Sequence, residues 1–236
     1  MAAEGLTKFP RTPHLFWLGE GAPRGDRLLA PAAARRLMIQ PVAIEEKIDG
    51  SNLGLSVGAN GRLRAQSRGH YLKAGTGGQY QPLWRWLALA DERLRAALGT
   101  GLLAFGEWCH ARHTMAYDAL PDWFLLFDVY ERAEKRFWSR ERRDAWAQSL
   151  GLAVPPLLAA GVLDRKRLTA LLGASRLGSG PAEGLYLRWD QGGWLRARAK
   201  IVRRNWVPAG DEHWAGVLET NALRRPPATP KATFVR

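Results

Sequence analysis

The octet Glu45-Glu46-Lys47-Ile48-Asp49-Gly50-Ser51-Asn52 sets one lysine among carboxylates immediately before a glycine turn. It feeds straight into two alternating runs. Leu53, Leu55 and Val57 form the first, and Leu63, Ala65 and Ser67 the second, after Asn60-Gly61. An Asn-Gly pair between alternating apolar runs is a strong hairpin signal. The lysine strand, Val42 to Asp49, therefore leads into an antiparallel sheet. Strand alternation would put Ile44 and Ile48 on an apolar face and Lys47 opposite, with Glu45 and Asp49. On the octet alone, a solvated Glu/Lys strand edge explains these residues as well as a nucleophilic lysine does. A nucleophilic amine must lose its proton near neutral pH, through burial, cationic neighbours or a metal.

The lead-in, residues 1–41, is punctuated by Pro10, Pro13, Pro23 and Pro31, with a short basic helix expected over Ala32–Met38. Residues 81–98 read as a helix with Leu83, Leu87, Leu94 and Leu98 near one face, stopped by Gly99. Leu102–Trp108 and Trp123–Tyr130 are near-continuous apolar strands, each carrying one carboxylate, Glu107 and Asp128. Burying such a group without a partner is costly. A structural salt bridge accounts for either one alone; two together suggest a shared polar cleft. Residues 140–150 read as a helix, and Asp164 caps another running to Gly173. Glu183–Trp189 and a strand from Trp194 close the pattern. In the latter, alternation sets Arg196, Arg198 and Lys200 on one face, a row best explained by phosphate contact.

Several classes are excluded. Ala74-Gly75-Thr76-Gly77-Gly78 has no following Gly-Lys-Ser/Thr, so it is no P-loop. There is no Gly-x-Ser-x-Gly nucleophile elbow. Cys109-His110-x-x-His113 lacks the companion ligands of a zinc site. Trp84, Trp86, Trp108 and Trp138 read as core packing, with base stacking the alternative. His70 is a substrate-contact candidate or simply exposed. No run of about 18 apolar residues exists, so no membrane span is expected. The start of the chain lacks a signal peptide's apolar run, and the single Cys109 permits no internal disulfide. Both fit a cytoplasmic protein. Lys plus Arg number 35 against 22 Asp plus Glu, a net charge of +13 that favours a polyanionic partner, nucleic acid first.

The order Lys-x-Asp-Gly, Ser-Arg-Gly, Phe-Gly-Glu, Phe-Asp, Glu-Gly-Leu-Tyr and Arg-Ala-Lys resembles the covalent nucleotidyltransferase superfamily. It is most similar to ATP-dependent RNA ligases of the phage T4 RNA ligase 2-like group. The resemblance implies an α+β fold, antiparallel β-sheets flanked by helices around a nucleotide cleft, akin to ATP-grasp ligases. It implies an adenylyltransferase domain over residues 42–206 and a short basic tail over 207–236 without an OB domain. By the same resemblance Lys47 attacks ATP and carries AMP, with Asp49 and Asn52 placing the lysine and phosphates. Glu45 or Glu46 lies near adenine. Arg68 contacts the nucleotide or the RNA 5′-phosphate, Glu107 holds the ribose, and Phe127 stacks on the purine. Glu183, with Asp49 partly through water, helps hold Mg2+ or Mn2+. Lys200 binds the AMP phosphate; Arg198 stands where relatives often carry the first lysine of Lys-x-Lys. The implied partners are RNA 5′-phosphate and 3′-hydroxyl ends, or nicked duplex or DNA ends. A DNA ligase, a GTP-using capping enzyme and an inactive nucleic-acid-binding relative are the alternatives.

Overall fold

The computed structural model describes residues 5–19, 27–203 and 219–224. Two antiparallel sheets dominate it. Strands β1 (Val42–Lys47), β7 (Leu157–Gly161), β8 (Gly184–Gln191) and β9 (Trp194–Val202) form one, in the order β7-β1-β8-β9. The second comprises β2 (Ser51–Val57), β3 (Leu63–Gln66), β4 (Leu102–Trp108), β5 (Phe124–Glu131) and β6 (Arg136–Phe137), in the order β3-β2-β4-β5-β6. The helices are α1 (Pro31–Met38), α2 (Gln81–Leu98), α3 (Arg140–Ser149) and α4 (Arg165–Ala170). This is the expected α+β architecture.

Each sheet buries one face against helices. Leu83, Ala90, Leu94 and Leu98 of α2 pack on Leu53, Leu55 and Leu126 beneath the second sheet. Leu37 of α1 and Leu168 of α4 pack on Ile44, Leu185, Leu187 and Ile201 of the first. At ~1.5–3 kcal/mol per fully buried aliphatic side chain, these two stripes are the main attachment of the helices. Ser139 caps α3 by accepting from the Arg142 N–H at 3.3 Å, and Asp164 caps α4 through Arg167 N–H at 2.8 Å.

The opening octet spans the junction between the sheets. Strand β1 ends at Lys47, so Ile48 and Asp49 do not continue its alternation. Ile44 joins the core of the first sheet, while Ile48 packs with Cys109, Met115 and Tyr117 in a separate cluster. The chain leaves one sheet after Lys47 and enters the other at Ser51. Gly50 permits that crossing: a Cβ there would lie 2.8 Å from the Trp108 carbonyl oxygen. Helix α4 ends at Ala170, short of Gly173, with Leu171 closing its last turn. Residues 219–224 pack on the 109–120 segment, where Asn221 Nδ2 donates to the Cys109 and Ala111 carbonyls. The rest of the expected basic tail lies outside the described residues.

Candidate active site

A cleft of about 690 Å³, including space open to solvent, lies between the two sheets. Strand β1 presents Glu45, Glu46 and Lys47; β8 and β9 add Tyr186 and Lys200. From the other sheet come Asn52, Glu107 and Phe127, with Arg68 at the hairpin end. The topology thus brings together eight of the eleven residues singled out from sequence: Lys47, Lys200, Glu45, Glu46, Asn52, Arg68, Glu107 and Phe127. Glu183, a ninth, reaches the site by bonding Lys47.

Lys47 Nζ donates to Glu183 Oε2 at 2.5 Å. Lys47 pairs with Gly184 across the ladder, which sets Glu183 beside the amine. Gly184 must stay bare, because a Cβ there would meet the Ile201 carbonyl oxygen at 2.2 Å. Burial pushes the Lys47 pKa down, but the charges of Glu183, then Glu107, outweigh it, and the net shift is upward. Without a nucleotide, the amine is therefore held as ammonium. Burial drives Glu107 up to about 8 and Glu183 up to about 7, each against the opposing pull of Lys47. Glu107 Oε2 is buried with no hydrogen-bond partner among the described residues. A buried acceptor of that kind, facing a cleft, is a place for a ligand hydroxyl.

These shifts make a pH prediction. Above about 4.5 the folded chain holds protons that the unfolded chain has released, on Glu183 up to about 7 and on Glu107 up to about 8. Their contribution to stability therefore falls as pH rises through that window. The unfolding free energy of the ligand-free protein, measured by urea titration, is expected to drop across it, by up to about 1.4 kcal/mol per pH unit for each group. Glu107→Gln should flatten the drop. Equal slopes for variant and parent would remove Glu107 as a titrating group.

Phe127 owes its place to a β-bulge. Asp128 pairs with Phe105 and Leu126 with Gly106, so Phe127 is the extra residue on β5. Bulges re-aim side chains. The Phe127 carbonyl accepts from Arg143 Nη1 at 2.7 Å and from Arg188 Nη1 at 3.1 Å. Its ring meets Phe9 edge-on at 5.0 Å. Phe9, Pro10 and Thr12 of the lead-in complete the cleft wall, and the Lys200 N–H donates to the Pro13 carbonyl at 2.9 Å.

Several predicted residues are committed to the protein itself. Glu45 forms a buried two-pronged pair with Arg143 of α3. Glu46 accepts from Ser175 Oγ at 2.5 Å and Arg176 N–H at 2.8 Å. Asp49 Oδ2 accepts the Thr114 and Met115 N–H groups, both at 2.8 Å, and does not line the cleft. Arg198 also lies outside the lining. It bonds Asp128 at 2.7 Å with its guanidinium 4.0 Å from the Phe137 ring centre. Asp128 bonds Arg188 as well, at 2.5 Å. The expected row of three cations is broken by a second bulge. Trp189 pairs with Ala197 and Asp190 with Leu195, which leaves Arg196 as the extra residue on β9. Arg196 lines a different concavity, with Ala197 and Arg36.

Arg143, Arg188, Tyr186 and Phe9 were not singled out from sequence. Arg143 carried a signal: it is one turn from Ala147, the other buried residue of α3. Phe9, a lone aromatic among prolines, carried none. Among the described residues no three His, Cys, Asp or Glu converge as a metal site. Burial pushes the Cys109 thiol well up, away from thiolate. Trp108 and Trp138 are core residues, and Trp86 packs against the same cluster. His70 bonds Ser67 at an exposed turn outside the cleft. No helix among the described residues is long and apolar enough to cross a membrane.

The fold has relatives of known structure. A Naegleria gruberi RNA ligase, in a lysine-to-alanine variant with ATP and Mn, is similar with a TM-score of 0.62 and 16% identity, covering 84% of this chain and 56% of that one. The same ligase with PPi gives 0.61 and 17% identity, over 83% and 61% of the two chains. A glutamate-to-alanine variant with AMP and Mn gives 0.60 and 17%, over 84% and 56%. The chain thus spans a little over half the length of these structures. No curated protein matches it. The model of a family described as RNA ligase matches residues 40–202, well over half of the 236-residue chain. With the two-sheet cleft and its motif residues in family order, the chain belongs to the RNA ligase family.

Proposed function

We propose that this chain is an ATP-dependent RNA ligase that works through a lysyl-AMP intermediate on Lys47. The observation that carries the reading is the Lys47–Glu183 contact of 2.5 Å inside a cleft that also holds Glu107, Phe127, Arg68 and Lys200. That set suits a nucleotide. Phe127 offers a ring face for a base, the orphaned Glu107 oxygen an acceptor for a ribose hydroxyl, and Lys200 and Arg68 cations for phosphates. The related Naegleria structures carry ATP or AMP with Mn, which supports the same assignment.

Residues for a divalent ion are present but do not form a closed cage. Glu183 would hold it, with Asp49, whose Oδ2 is taken by two backbone N–H groups, acting through water and phosphate oxygens completing the shell, as magnesium-type sites usually are. Such an ion supplies charge neutralisation on the phosphates and favours the neutral form of the nearby amine. The protein's own groups do the rest. Lys47 Nζ forms a bond to the α-phosphorus as the bond to pyrophosphate breaks. Glu183, with a pKa near 7 at 2.5 Å, is the nearest acceptor for the proton that Nζ sheds. Phe127 and Glu107 fix the nucleoside, so the α-phosphorus is held in line with Nζ, and positioning carries much of the rate. AMP then passes to an RNA 5′-phosphate, making a 5′-5′ pyrophosphate. A 3′-hydroxyl displaces AMP and seals the strand.

The test is a sealing assay with 5′-phosphorylated RNA, as single strands and as nicked duplex, with ATP and either Mg2+ or Mn2+. ATP-dependent conversion to ligated or circular product is expected. Label retained from GTP alone, or sealing of DNA nicks alone, would overturn the assignment.

A further inference from the structure

We propose that the end of the β8–β9 hairpin docks the phosphodiester backbone of the RNA substrate, outside the nucleotide cleft. The proposal rests on the ligase reading above. It starts from the bulge on β9. Because Arg196 is the extra residue, its side chain leaves the row of Arg198 and Lys200 and joins Arg36 of α1. Arg36, Trp189, Gln191 and Arg196 line a shallow concavity that contains no carboxylate. The Arg36 guanidinium lies 5.4 Å from the Trp189 ring centre. At the same hairpin end, Trp194 carries Arg136 at 4.5 Å and Arg142 at 5.0 Å. Arg142 also bonds Glu131 at 2.9 Å, so it holds the stack in place and its charge is partly offset. Arg36, Arg136 and Arg196 take part in no ion pair among the described residues.

Two exposed arginines, Arg36 and Arg196, and the half-buried Arg136 around two tryptophans, on a chain of net charge +13, make a surface suited to a nucleic-acid strand. A guanidinium lying over an indole keeps its N–H edge available for phosphate oxygens. The position also fits. Trp194 and Lys200 lie on one strand, six residues and ~20 Å apart. RNA whose end sits at Lys200 therefore reaches the hairpin end within a few nucleotides. The cleft handles the reacting phosphate, and the hairpin end holds the strand behind it.

Equilibrium binding of a short 5′-phosphorylated single-stranded RNA, over a salt series, tests this. Arg196 is exposed, so Arg196→Ala leaves the fold and the cleft alone. It should lower the slope of log affinity against log salt by ~0.7. Arg36→Ala with Arg196→Ala should weaken binding on the order of tenfold. Labelling of the protein by ATP should match the parent in both variants, since neither residue lines the cleft. Parent-like affinity and slope in Arg196→Ala would overturn the docking surface while the ligase reading stands. A parent protein that neither takes label from ATP nor binds RNA would remove the ligase reading itself.

Discussion

Asp128→Ala is expected to destabilise the protein by ~3–5 kcal/mol, enough to threaten folding at moderate temperature. Asp128 is fully buried, and its two oxygens bond Arg188 at 2.5 Å and Arg198 at 2.7 Å. Arg188 is fully buried too, and Arg198 is only 12% exposed. Burial opposes the charge on Arg188, yet Asp128, then Glu45 and Asp190, hold it protonated. Removing Asp128 leaves two guanidiniums in the interior with much of their counter-charge gone. The effect reaches the cleft, because Arg188 also helps hold the Phe127 carbonyl. Urea or thermal unfolding followed by circular dichroism measures it. A loss under about 1 kcal/mol would show that Glu45 and Asp190 alone compensate Arg188.

Lys47→Ala is expected to reduce labelling of the protein by ATP at least ~10⁴-fold, as losing a covalent nucleophile does elsewhere. Binding of RNA should be little changed, because Lys47 is 22% exposed at the floor of the cleft and one cation among many. Lys47 acts only in the first two steps of the proposed route. The variant should therefore still close a strand whose 5′ end already carries AMP. If it failed on that substrate while binding it normally, Lys47 would have a further role in the sealing step. Full labelling of the variant by ATP would remove Lys47 from the mechanism.

The motif residues were legible in the sequence because their chemistry is unusual for strands. Glu107 and Asp128 stood out as carboxylates in apolar runs, and both proved to lie beside cations of other strands. Which cation each one meets did not stand out. Lys47 answers Glu107 electrostatically from the other sheet, and Arg143 and Arg188 answer Glu45 and Asp128 from positions far along the chain. Sequence alternation carries no information on such pairings. It also fails at bulges. Phe127 reaches the cleft and Arg196 leaves its row because each is the extra residue in a ladder, and nothing in the composition of β5 or β9 marks the slip. The contribution of Phe9 was hidden for another reason: a proline-rich lead-in has no period, so a packed aromatic in it looks like any linker residue. Sequence and structure together separate Glu45 and Glu46, which line the cleft but are held by the protein's own donors, from Glu107, whose buried oxygen is left without a partner among the described residues.

Peptide mapping by mass spectrometry, after incubating the protein with ATP and a divalent ion, is the most direct test of the central claim. The account predicts one added AMP on the peptide that contains Lys47, released by mild acid as a phosphoramidate and absent from Lys47→Ala. An AMP on any other residue, or no covalent AMP at any pH between the ordinary carboxylate and lysine ranges, would contradict it.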